Sequence, residues 1–102
     1  GVDLLRTTED WSIRLKHENR NKSMFLHHEQ PFQDYNRSMP DLSTVIKAGA
    51  LLTVDRYYLR KGGAKYDSIT FVVHELDGAK LKKKLRFWVN ADIAQTLQFE
   101  FE

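Results

Sequence analysis

The chain contains no cysteine, which closes off a disulfide framework and a thiolate metal site alike. Proline occurs twice and glycine five times in 102 residues, and no stretch is of low complexity. No apolar run approaches the roughly 20 residues that a membrane-spanning helix needs. The first residues also lack the basic-then-apolar layout of a signal peptide. The expectation is a cytoplasmic protein without a membrane partner. The net charge of +2 is too small to argue for nucleic acid by itself.

What is present is aromatic and alternating. Six Phe, four Tyr and two Trp are many for a chain of this size, and such side chains bury the most area per residue. A length of 102 residues with 41% hydrophobic content suits one domain, residues 1–102, around one core. The charge is unevenly placed. Residues 1–41 hold six cations and seven acids, whereas residues 42–102 hold ten and seven. Arg56 to Lys65 has four cations and no acid, and Ala79 to Val89 has five, again with no acid.

The dominant period is two, the mark of half-buried strands. Trp11, Ile13 and Leu15 alternate with polar residues, as do Ile69, Phe71 and Val73, then Leu85, Phe87 and Val89, then Leu97, Phe99 and Phe101. "ALLTVDRYYLR" adds a β-branched and aromatic run. "NADIAQT" reads as one helical turn capped by Asn90. The stretch 18–41 is polar, holds Pro31 and Pro40, and reads as a long loop with a short strand near Met24–Leu26. The expected fold is all-β: a small antiparallel five-stranded barrel, OB-like or SH3-like, with that loop and at most one short helix.

Side-chain parity sets the facing of the hairpins. If Leu85, Phe87 and Val89 share the core face with Ile69 and Phe71, a three-residue turn Asp77-Gly78-Ala79 fits. A two-residue Asp77-Gly78 turn would place Lys82 and Lys84 opposite Val73 and Phe71 on the core side, so the odd turn is expected. The odd turn directs Ser68, Thr70, Val72 and His74 outward, opposite Trp88, Arg86, Lys84 and Lys82. In the preceding hairpin Gly62-Gly63 supplies the turn. Tyr57 and Leu59 are out of phase with Leu52 and Val54, so either Tyr58 is the buried tyrosine or a bulge near Asp55 switches faces. Gly62-Gly63 is not a P-loop, lacking both the spacing and a following helix.

Catalytic and metal chemistry find little support. His27, His28 and Glu29 with His17 and Glu18 are the candidate ligands, but the helical spacings of zinc motifs are absent and adjacent strand residues face apart. No nucleophile elbow or thiol is present. The expectation is a non-enzyme without cofactor or metal; a small histidine- or metal-dependent nuclease is a minor reading.

The segments Val54–Gly62 ("VDRYYLRKG"), Tyr66–Phe71 ("YDSITF") and Arg86–Val89 ("RFWV") resemble small uncharacterised β-rich proteins of bacteriophages and other mobile elements. The resemblance implies an accessory protein and brings no catalytic residues with it.

A tryptophan among cations on a sheet face suits single-stranded nucleic acid, with bases stacking on rings while cations follow phosphates. The expected function is therefore a non-catalytic nucleic-acid-binding module for single-stranded DNA or RNA. Its candidate residues are Lys82, Lys84, Arg86 and Trp88, with Arg56, Arg60, Lys61 and Lys65 in the neighbouring hairpin. The alternative is a protein-interaction module that binds a host protein through the 18–41 loop or by strand addition at an open edge.

Overall fold

The computed structural model describes residues 3–34, 38–58 and 68–102, with Tyr58 as backbone only. The expected hairpin turn at Gly62-Gly63 and the candidate residues Arg60, Lys61 and Lys65 lie outside that range. The described chain runs β1 (Leu4–Thr7), β2 (Trp11–Leu15), a 3₁₀ turn (Asn19–Asn21), α1 (Lys22–His27), β3 (Leu42–Ile46), β4 (Leu51–Tyr58), β5 (Ser68–Leu76), β6 (Ala79–Asn90), α2 (Ala91–Ala94) and β7 (Phe99–Phe101). One sheet has the order β6-β5-β4-β1-β7, and β2 pairs with β3 in a second. The protein is mostly β, as expected, but the two sheets do not close into a barrel.

A single bent ladder relates the two sheets. Leu5 faces Leu52 in the first and, six residues on in each direction, Trp11 faces Ile46 in the second. The register therefore passes through the corner without a slip. Buried Thr7 holds the bend: its hydroxyl donates to Lys47 O (3.3 Å) and accepts from the Ala50 N–H (3.0 Å). Gly49, at φ +92, makes the reversal that side chains resist. Asp10 fastens the same corner by accepting from the Ala48 N–H at 2.8 Å.

Folding the ladder lays Trp11, Ile13 and Leu15 over Leu5, Leu52, Phe71, Val73, Leu85, Phe87 and Val89, all buried in one cluster. Trp11 is 1% exposed; its ring meets Phe71 edge-on at 5.4 Å and its indole N–H donates to Gln98 O. The alternation read from the sequence at β2, β5 and β6 is this core face. β1 and β3 lie outside the five expected strands. β3 alternates through a buried polar residue, Thr44, whose hydroxyl is 2.9 Å from His28 Nε2.

Three local expectations are corrected. Residues 22–27 form helix α1 rather than a strand. Asn21, Met24, Phe25 and half-buried His28 fall on one helical face, at the spacing that buries an amphipathic turn. Residues 91–94 do form a helical turn, but the Asn90 side chain makes no capping bond.

The third correction concerns the β5–β6 hairpin, which turns through two residues. Asp77 and Gly78 both have positive φ, and Leu76 pairs with Ala79, the geometry of a type I′ turn whose twist matches its strands. Core parity survives through a bulge. Between the pairs Glu75–Lys80 and Val73–Leu85, β5 contributes only His74 while β6 contributes Leu81 to Lys84. Strand β4 switches faces at Asp55, between the pairs Val54–Phe71 and Arg56–Thr70, one of the two arrangements that parity left open.

Candidate functional site

The outward row of the β5–β6 hairpin pairs Thr70 with Trp88 and Val72 with Arg86, two residues out of the expected register. The row is largely covered. Thr70 is 1% exposed. The Arg86 guanidinium donates to Asp55 Oδ2 at 2.6 Å, and Arg56 lies 3.7 Å from the same carboxylate. Arg20 sits over the Trp88 ring, 4.4 Å from its centroid. His74 bonds with the Thr53 hydroxyl at 2.9 Å, and burial, then the nearby Lys84 charge, hold its pKa below the usual histidine value.

The cations gather instead along the seam between β6 and the 19–27 segment. Strand β6 is the edge of its sheet, and its outward backbone groups need partners. Ser23 Oγ accepts from the Arg86 N–H (3.0 Å) and donates to Arg86 O (3.1 Å), while Asn21 Oδ1 accepts from the Trp88 N–H (3.0 Å). The Asn21 amide also donates to Lys16 O at 2.9 Å, tying the end of β2 to β6. A polar helix segment thus stands where another strand would pair.

Holding that segment against the β6 bulge opens a cleft of about 460 Å³ lined by Arg20, Lys22, Lys83, Lys84 and Arg86, with Leu26 at its side. Glu18 positions Arg20: one carboxylate oxygen caps the Arg20 N–H and the other takes its guanidinium, both at 2.9 Å. Lys22 is 4.0 Å from Asp34. Among the described residues, Lys83 and Lys84 form no ion pair. A second cleft, of about 370 Å³ and bordered by Leu26, His27, Lys82 and Lys83, continues the seam.

Of the candidates read from sequence, Lys84 and Arg86 line the first cleft and Lys82 the second. Trp88 lies beneath Arg20 beside them, and Arg56, on β4, lines neither cleft but shares the Asp55 carboxylate with Arg86. Arg20, Lys22 and Lys83 were missed. The first two lie in a stretch that reads as loop, because its helical face includes Asn21 and His28 in place of apolar residues.

Elsewhere, a cavity of about 440 Å³ between β4, β5 and the α2 region is lined by Val54, Tyr57, Ile69, Phe71, Leu97 and Phe99 and has no charged side chain among the described residues. His17 stacks on Phe32 at 4.3 Å and meets Phe25 edge-on, with its Nδ1 buried and unpartnered. Among the described residues no group of three His, Asp or Glu could hold a metal ion, and no helix is long and apolar enough to cross a membrane. Comparisons with family models, curated proteins and solved structures return no match.

Proposed function

We propose that the protein is a non-catalytic module that binds the backbone of single-stranded nucleic acid along the seam between β6 and α1. The observation that carries this reading is the convergence of Arg20 and Lys22 with Lys83, Lys84 and Arg86 on one cleft, from segments about 60 residues apart. Like charges brought together by folding repel one another, and an anionic ligand relieves that repulsion. Carboxylates answer Arg20, Lys22 and Arg86, which leaves the excess charge at Lys83 and Lys84. The Arg20–Trp88 pair next to the cleft is a layered cation–aromatic surface on which a base can stack.

A single strand fits better than a duplex. Helix α1 has six residues and is packed against the β6 edge, so the described structure presents no free helix for a major groove. With the resemblance of the segments Val54–Gly62, Tyr66–Phe71 and Arg86–Val89, the reading extends to an accessory protein of a bacteriophage or other mobile element.

The test is the fluorescence anisotropy of a labelled oligothymidylate, repeated with RNA and duplex DNA at two salt concentrations. Single strands bind, quench the Trp88 emission and dissociate as salt rises. The double variant Lys83→Glu/Lys84→Glu weakens binding at least tenfold while keeping the far-UV circular dichroism of the parent. Equal affinity in that variant sinks the proposal.

A further inference from the structure

The two edges of the five-stranded sheet are treated differently. At β6 the outward backbone groups are closed by Asn21 and Ser23. At β7 no described element occupies that position: β7 pairs with β1 alone. The ladder between β7 and β1 runs through the even-numbered residues of β7, since the Glu102 N–H donates to Leu4 O (2.9 Å) and the Thr8 N–H to Gln98 O (3.2 Å). The alternation of an antiparallel pair then turns the N–H and C=O of Phe99 and Phe101 to the open side.

The side chains of this edge are sorted by face. Phe99 and Phe101 share the face that carries Leu5 and meet edge-on at 5.4 Å; Phe101 is 67% exposed, the most exposed large hydrophobic side chain among the described residues. Glu100 and Glu102 share the opposite face, with Arg6. Glu102 pairs with Arg6, whereas Glu100 has no ion pair among the described residues.

We propose that β7 is a docking strand for an extended peptide whose residues alternate between apolar and basic, the peptide adding to the sheet as a further antiparallel strand. Its backbone meets the free groups of Phe99 and Phe101, its apolar side chains pack against those rings, and its Lys or Arg residues face Glu100 and Glu102. Charge selects this occupant. A second copy paired β7 to β7 about Glu100 would bring glutamates against glutamates on the face of Arg6, which is unfavourable. The site lies on the sheet edge opposite the cationic seam, so it stands independently of nucleic-acid binding.

The probe is a labelled ten-residue peptide of alternating valine and lysine, compared with valine–glutamate and with the valine–lysine peptide N-methylated at every second residue. The valine–lysine peptide is expected to bind saturably and to slow amide exchange at Phe99 and Phe101. Loss of at least tenfold in affinity is expected on N-methylation, which removes strand pairing but keeps the charge, and in Glu100→Lys. Binding that survives N-methylation, binding of the valine–glutamate peptide at equal strength, or no slowing of exchange at Phe99 and Phe101 would each overturn the proposal. A nucleic-acid titration of Glu100→Lys that matches the parent shows that the seam is intact, so failure at one edge is read separately from the other.

Discussion

Asn21 Oδ1 accepts the backbone N–H of Trp88 at 3.0 Å while the same amide group donates to Lys16 O at 2.9 Å. One side chain, 0% exposed, thereby closes a sheet edge and joins the two sheets beside it. Its placement also fixes the neighbouring arginine and lysine that line the cationic cleft.

Asn21→Ala leaves the part-buried Trp88 N–H and Lys16 carbonyl without this partner, and an unsatisfied buried group costs about 1–3 kcal/mol. A loss of about 2 kcal/mol is expected in urea unfolding. The exposed neighbour Asn19→Ala should shift stability by less than about 0.5 kcal/mol. Equal effects at the two positions would remove Asn21 from its role as a tie.

Salt dependence reads the cleft directly. For single strands, the slope of log affinity against log salt is about −0.7 per neutralised phosphate. Replacing Lys83 and Lys84 together with glutamine should therefore flatten the slope by about 1.4, if each lysine contacts one phosphate. A slope that does not change places the phosphates elsewhere.

Stability should fall on mild acidification. His28 is half-buried against Thr44, and burial, then the adjacent His27, lower its pKa from 6.5, with Asp77 opposing. His74 is lowered likewise. A depressed folded pKa favours the neutral ring, so the unfolded chain takes up protons first. The stabilisation is complete above pH 6.5 and is lost as pH falls below that value through the folded pKa. Thermal melts should show Tm falling over that window, and less steeply in His28→Gln. Parallel profiles would exclude His28 as a source.

Gly78 carries φ +78, and a Cβ there would meet nothing within 4 Å. Gly78→Ala should cost about 1–2 kcal/mol, the penalty of the left-handed region for an L residue, with no steric contribution. A neutral outcome in chemical unfolding would mean that the type I′ turn is not held in solution.

The register of the β5–β6 hairpin shows what pattern reading reaches. Parity placed Phe71, Val73, Leu85, Phe87 and Val89 inward, because each inward polar residue would carry a desolvation cost. Parity alone could not choose between an odd turn and an even turn followed by a bulge, since both keep the same faces. The bulge decides where Lys82 to Lys84 stand. Likewise, 18–41 reads as loop because its helical face is partly polar, and the Asn21 side chain is satisfied by the nearby Lys16 carbonyl together with the Trp88 N–H of β6, 67 positions away.

Local sequence sets the β-rich character, the inward faces of β2, β5 and β6, and the lysine cluster near residue 83. All of these follow from side-chain period and local composition. Long-range packing sets the bend that folds β2 and β3 over the main sheet, the closing of β6 by a helix, and the meeting of Arg20 and Lys22 with those lysines. These depend on hydrogen bonds between residues about 40 to 65 positions apart, and no local period records such partners.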